Sequence, residues 1–392
     1  MEMETEQVEA ELINGGKNGC WTKFSEKRLV QVEKTILNVL KTAYRTWFVP
    51  IGSQLGKEDK IWTIGLNEQS KKTPLVMLHG FAAGLCFWIL NFDELSKDRP
   101  VYAIDLLGFG RSSRPKFSGD AEEAEQQMVD SLEAWRKQMK LENMILLGHS
   151  FGGYLATSYA INYPNRVKHL ILADPWGFQE RPAKLDVPFW FKLIIFAIYP
   201  FTWFNPLASI RAAGPMGPWL VGKVRNDISA KYSSAIDNTD LITEYIYHCN
   251  SQNPSGESAF NSMKQGLAWA KHPMIRRYHT LSKDVPLTVI YGERSWIVKT
   301  PEDDLKNQRP ESYVKAEILP NAGHHINADQ SVLFNQLVCK VCKQCDNSET
   351  CNSEEKEDNN KNCDNENDWD KKIEGLVEDD DFSGMQIINT RL

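Results

Sequence analysis

Gly148-His149-Ser150-Phe151-Gly152 stands between a strand-like apolar run ending at Leu147 and a helical stretch from Tyr154 to Asn162. A G-x-S-x-G pentad in that context predicts a turn so tight that its serine takes a strained backbone. The residues two before and two after must then lack a Cβ, as Gly148 and Gly152 do. Such a turn exposes the Ser150 hydroxyl. The helix that begins there points free N–H groups and a positive dipole end at a developing oxyanion, with the Phe151 N–H as first donor. The pattern describes a nucleophile poised for a carbonyl carbon.

Strands and helices alternate around this turn. Apolar runs predict strands at Lys60–Leu66, Pro74–Leu78, Val101–Ile104, Met144–Leu147, His169–Ala173, Leu287–Tyr291 and Ala316–Leu319, and periodicity predicts helices at Glu122–Lys140, Gly153–Tyr163 and Gln330–Lys343. Continuous Val/Ile/Leu strands between helices imply a mainly parallel sheet covered on both faces, with sites at the strand C-terminal ends. With the Ser150 turn, this is the α/β class and, within it, the α/β-hydrolase fold. The alternation breaks between Trp176 and Val285, so residues 57–178 and 285–345 are read as core and 179–284 as an inserted helical lid. Its first half, Val187 to Phe204, concentrates eight aromatic side chains. They either pack the lid on the core, wall a long acyl chain or face a membrane, and each use favours a greasy substrate.

The ends differ from the middle. Residues 1–20 form an acidic leader without the basic and apolar regions of a secretory signal, which points to the cytoplasm. Residues 21–56 carry apolar side chains at helical spacing from Ser25 to Phe48 (Leu29, Val32, Ile36, Val39, Leu40, Ala43) among lysines and arginines. This predicts an amphipathic helix, packed on the core or lying at an interface. From Asp346 to Leu392 there are 15 acids against 5 bases, a balance of −10, so the rest of the 392 residues carries +3 out of a total of −7. That tail, 346–392, is read as disordered. With no basic stripe interleaved with aromatics, nucleic acid is not expected as a partner. No apolar run is long enough to span a bilayer, so any membrane contact is peripheral.

The remaining chemistry follows the chain order of this fold. His79-Gly80-Phe81 directly after the Pro74–Leu78 strand supplies the second oxyanion donor, the Phe81 N–H. The general base must follow the last strand, and Asn321-Ala322-Gly323-His324 does; His324 is preferred to its neighbour His325. The acid is less determined. The loop after Leu287–Tyr291 places Ser295 at the offset where many such enzymes carry Asp. Glu293, Asp303 and Asp304 lie nearby, but Asp174, at the end of the His169–Ala173 strand, holds an alternative position used by some hydrolases of this fold; it is either the acid or a turn residue ahead of Pro175. His324 and Asp329 also spell H-x-x-x-x-D, an arrangement associated with acyl transfer to lysophospholipids, although Asp329 equally suits capping of the Gln330–Lys343 helix. Cys339, Cys342 and Cys345 are spaced C-x-x-C-x-x-C, with Cys351 and Cys363 beyond; the first two fall on a predicted helix and the later spacings match no standard metal site. Neither a metal nor a cofactor is expected.

With turn, lid and His324 in place, the chain resembles the α/β-hydrolase-domain lipid enzymes that comprise N-acylphosphatidylethanolamine lipase and its sister, the lipid-droplet coactivator of triglyceride lipase. The resemblance runs from about Trp21 to Cys342. It is carried by Lys60-Ile61-Trp62-Thr63, the run Asp105 to Pro115, Asp174-Pro175-Trp176-Gly177-Phe178, Lys231-Tyr232-Ser233-Ser234, Glu244 to Asn250, and Ala328-Asp329-Gln330. The coactivator resembles this sequence except that Asn replaces the serine, so Ser150 implies the lipase side: hydrolysis of acyl esters in lysophospholipids and N-acylated phosphatidylethanolamines. Both sisters carry Asp in the segment matching Trp296-Ile297-Val298, and Val298 departs from it. The resemblance leaves three readings: a lipid serine hydrolase, an acyl-CoA-dependent lysophosphatidate acyltransferase, and a non-catalytic lipid-droplet partner of another lipase or a droplet-coat protein. All three imply a lipid substrate or ligand and a peripheral place at a lipid droplet, endoplasmic reticulum or mitochondrial surface.

Overall fold

A computed structural model describes residues 24–182, 207–266 and 269–354. Eight strands make one sheet: β1 Tyr44–Gly52, β2 Asp59–Leu66, β3 Leu75–Leu78, β4 Val101–Ile104, β5 Met144–His149, β6 Val167–Ala173, β7 Leu287–Gly292 and β8 Val314–Leu319. Their order is β1-β2-β4-β3-β5-β6-β7-β8. The first two pairings, β1 with β2 and β2 with β4, are antiparallel, and all others are parallel. This is the α/β-hydrolase arrangement expected from the sequence.

Both faces of the sheet are buried because alternate side chains enter different cores. Val76, Leu78, Leu146, Leu170 and Leu172 join one core with helices α2 (Ala121–Gln138) and α3 (Phe151–Asn162). Leu75, Met77, Ile145, Leu147, Ile171 and Ala173 join the other, with helix α1 (Glu26–Leu37) and the last helix, which begins at Ser331. Adjacent residues of β2 show the same alternation with polar atoms. The Trp135 Nε1–H on α2 donates to Thr63 Oγ1 at 3.0 Å, while the Trp62 Nε1–H donates to Glu33 Oε1 on α1 at 2.9 Å.

The long amphipathic helix expected over Ser25–Phe48 is corrected by the structure: α1 stops at Leu37 and β1 begins at Tyr44. Tyr44-Arg45-Thr46-Trp47-Phe48-Val49 is rich in β-favouring side chains and pairs with β2, while Pro50 sits where an edge strand tolerates a missing N–H. In the link, Asp93 accepts the backbone N–H groups of Lys41 and Thr42. The apolar face of α1 (Leu29, Val32, Ile36, Leu37) is buried, and Arg28 pairs with Glu244 at 2.6 Å, so α1 packs on the protein.

Between β6 and β7 the described residues form short helices, among them α4 (Gly217–Val224), α5 (Asn226–Lys231), α6 (Asp240–Asn250) and α7 (Ser255–Met263). The aromatic run Val187 to Phe204, the leader 1–20 and the tail beyond Glu354 lie outside the described residues. After β8 come α8 (Ile326–Asp329) and α9 (Ser331–Glu354); α9 continues past the expected end at Lys343, since no Gly or Pro interrupts it. The chain divides into a unit ending at Asp346 and a second from Asn347, whose described part is helical to Glu354. Among the described residues, no helix is long and apolar enough to cross a membrane.

Candidate active site

Ser150 sits between β5 and α3 with φ 52° and ψ −117°. The two glycines of the pentad are required by contact. A Cβ on Gly148 would lie 2.3 Å from Gly152 O, and one on Gly152 would lie 2.5 Å from Leu78 O. The turn is therefore wedged against the end of β3, and Ser150 N–H is tied to Ala173 O on β6 at 3.0 Å. Strain at Ser150 persists because these neighbours leave the backbone no relaxed alternative.

Ser150, His324 and Asp174 come together from three loops at the C-terminal edge of the sheet. His324 Nε2 is 2.9 Å from Ser150 Oγ, and its Nδ1 is 2.6 Å from Asp174 Oδ2. An ionised carboxylate only accepts, so Nδ1 carries the proton and Nε2 is free to take one from Ser150. Asp174 is fully buried, with a positive φ of 47° and its N–H on Ile290 O at 2.7 Å. Its Oδ1 accepts the Gly292 N–H at 3.1 Å, and its Oδ2 also accepts the Ser295 hydroxyl. Of the acids left open by the sequence, Asp303 and Asp304 lie exposed in the first turn of the helix Glu302–Gln308, and Glu293 accepts the Asn321 N–H at 2.7 Å. Val298 is half exposed, at 51 %.

The Phe81 turn lies against the serine: a Cβ on Gly80 would stand 3.0 Å from Ser150 Cβ. His79 pins this turn, accepting the Leu106 N–H with Nε2 at 3.0 Å and donating through Nδ1 to Gly80 O at 2.7 Å. Burial lowers its pKa and keeps it neutral. Phe81 and Phe151 share a neighbour, Phe260 on α7, with ring centroids 4.2 Å and 5.0 Å away. Beside the histidine, Trp296 stands 5.0 Å from the His324 ring and is 58 % exposed; it lines an apolar groove of about 80 Å³ with Trp176, Phe178, Trp269 and Val298.

Three contacts of the His324 segment, with His149, Arg225 and Lys231, were not legible in the sequence. His149, inside the pentad, has Nε2 2.9 Å from His324 O, and burial followed by the neighbouring His324 pushes its pKa down to about 3. His325 turns away from the serine, with Nε2 3.3 Å from Arg225 Nη2. Asp329 is also corrected. It ends α8 instead of capping the following helix, and its Oδ2 accepts the Gly323 N–H at 2.8 Å while Oδ1 meets Lys231 Nζ at 2.6 Å. Asp329 of the H-x-x-x-x-D pair is thus engaged by Gly323 and Lys231. Among the described residues no group of three or more metal-ligating side chains is found, and Cys339, Cys342 and Cys345 are free thiols.

A strained serine at a strand-to-helix turn, with a histidine from beyond the last strand and a carboxylate behind it, defines the hydrolase class of this architecture. Residues 73–330 match the family described as alpha/beta hydrolase fold. Over 327 residues the chain is 48% identical to the mouse 1-acylglycerol-3-phosphate O-acyltransferase ABHD5, covering 82% of this chain and 91% of that protein. It is 47% identical over 327 residues to the human (Lyso)-N-acylphosphatidylethanolamine lipase, covering 82% and 93%. Among solved structures, naproxen esterase from Bacillus subtilis shares the fold with a TM-score of 0.54 at 17% identity, over 81% of this chain and 98% of that one. The chain belongs to the α/β-hydrolase family, in the group that holds these acyltransferase and lipase relatives.

Proposed function

We propose that this chain is a serine hydrolase of lipid acyl esters, of the lysophospholipid and N-acylphosphatidylethanolamine type. Ser150 is the nucleophile, His324 the general base, Asp174 its orienting acid, and the Phe81 and Phe151 N–H groups the oxyanion donors. The observation that carries the reading is the continuous hydrogen-bonded line Ser150 Oγ, His324 Nε2, His324 Nδ1, Asp174 Oδ2. Ser150 Oγ bonds to the acyl carbon as its proton passes to His324 Nε2. The imidazolium then protonates the leaving alcohol, and the acyl-enzyme forms. Water repeats the sequence and releases the fatty acid.

The lipid class rests on the name of the human relative and on the apolar walls around the serine, where Phe81, Phe260, Trp176 and Trp296 leave little to hydrogen-bond a sugar or peptide. The name of the mouse relative supports a second outcome at the same site, in which a lysophospholipid hydroxyl takes the acyl group. We read the insertion 179–284 as a lid. Exposed Trp219, Met216 and Trp296 fit a peripheral lipid surface, at a droplet or an intracellular membrane.

The test is labelling with a fluorophosphonate. Under this reading it modifies the wild type and not Ser150→Ala, and extracts incubated with the wild type gain free fatty acid at the expense of acyl phospholipid. Acyl-CoA consumption that depends on Asp329 and ignores Ser150 would instead favour a serine-independent acyltransferase. Lipid changes that survive Ser150→Ala would favour a non-catalytic lipid-droplet role.

A further inference from the structure

The residues on either side of His324 are held by the insertion. Gly323, just before it, gives its N–H to Asp329 Oδ2 at 2.8 Å, and the other oxygen of Asp329 is held by Lys231 Nζ at 2.6 Å. Lys231 is the last residue of α5. His325, just after, meets Arg225, the residue preceding α5, at 3.3 Å. A third tie runs through Phe87 O, which accepts Tyr232 Oη–H from the insertion at 3.0 Å and Asn327 Nδ2–H from α8 at 2.8 Å.

The Lys231–Asp329 pair is well shielded, with side chains 18 % and 13 % exposed. A charge pair in such surroundings depends strongly on both members, since removing one leaves the other uncompensated. Gly323 makes room for it: a Cβ there would stand 3.2 Å from Asp329 Oδ2 and 4.0 Å from Lys231 Nζ. Asp329 is thus the hinge pin between a backbone N–H adjacent to the base and a cation on the inserted helices.

We propose that Lys231 and Asp329 form a latch through which the inserted helices set the position of His324. Both are positioning residues. The second acidic member of the H-x-x-x-x-D motif then serves the serine site by seating the loop, and the site is competent only while Lys231 is docked. This rests on the reading of Ser150 and His324 as nucleophile and base. It adds regulation to that site: displacement of α5 withdraws Lys231, frees the Asp329 carboxylate and loosens Gly323.

Two measurements on the full chain test this, using Lys231→Met, Asp329→Asn, the double variant and Lys231→Arg. In fluorophosphonate labelling, each single variant should lower the maximal rate about tenfold with little change in probe affinity, as displacement of a reacting group does. The double variant should be no slower than the slower single, because both remove one link. Lys231→Arg should restore most of the rate. In amide hydrogen exchange, residues 321–325 should exchange faster in Lys231→Met while β5 and β6 keep wild-type protection, which separates the latch from general unfolding. Wild-type labelling rates in both singles, additive losses in the double, or unchanged exchange at 321–325 overturns the proposal. Absence of Ser150-dependent labelling in the wild type overturns the hydrolase reading alone, and the exchange result still decides the latch.

Discussion

Ser295 donates its hydroxyl to Asp174, sharing the carboxylate oxygen that receives His324 Nδ1. The loop after β7 therefore still reaches the His324 partner Asp174, by a hydrogen bond instead of a carboxylate of its own. Ser295 Oγ also accepts the Ile297 N–H at 3.1 Å, so its rotamer is held from both directions. With the Gly292 N–H on the other oxygen, Asp174 is oriented by the last residue of β7 and by Ser295 of the loop that follows.

Asp174→Asn should reduce ester turnover by about four orders of magnitude, because the imidazole loses the partner that holds its tautomer and orientation. Ser295→Ala removes one of three hydrogen bonds to that carboxylate and should reduce turnover by about tenfold, equivalent to roughly 1.4 kcal/mol. Asp303→Asn and Asp304→Asn should match the wild type. Turnover of a soluble short-chain ester by the four variants checks the assignment, and equal activity in all of them would exclude Asp174.

Gly152→Ala forces a Cβ to within 2.5 Å of Leu78 O and 2.6 Å of His79 O, both backbone atoms that cannot rotate aside. Overpacking of this kind costs about 1–3 kcal/mol. The expected result is a lowered urea midpoint together with loss of fluorophosphonate labelling, since the shift displaces Ser150 and the Phe81 turn at once. A variant with wild-type stability and labelling would contradict the described packing of the turn.

Two buried histidines should each lower stability on acidification. His149 and His169 are buried, and burial pushes each pKa down to about 3. An unfolded histidine titrates near about 6.5, so below that pH the unfolded chain takes up protons that the folded one refuses. Each lowered histidine leaves stability intact above about pH 6.5 and removes it progressively as pH falls towards 3, at up to about 1.4 kcal/mol per pH unit. His169 lies away from the triad, with Nε2 2.9 Å from Thr288 Oγ1. His169→Gln should make the dependence of unfolding free energy on pH shallower between about pH 6 and pH 4, as urea titrations would read. An unchanged slope would mean that His169 protonates freely in the folded state.

The central strands were legible because each is a short apolar run with a turn residue at its end, and β3 to β8 fall within two residues of their expected limits. Tyr44–Gly52 was not, since Val39, Leu40 and Ala43 continue the apolar spacing of α1 and periodicity alone does not mark where pairing with β2 becomes favourable. Asp329 illustrates the same limit at the site. Its place ahead of a helix suggested capping, yet a lysine nearly a hundred residues away and the Gly323 N–H engage it first.

By itself the sequence singled out Ser150, His324 and the Phe81 turn, because each lies at a local junction whose geometry follows from neighbouring glycines, strand and helix. Only the tertiary structure supplied the contacts of Asp174 with His324 and Ser295 and the Lys231 tie to the histidine loop. Those depend on which loops converge above the sheet edge, and convergence is a property of long-range packing that no local spacing encodes.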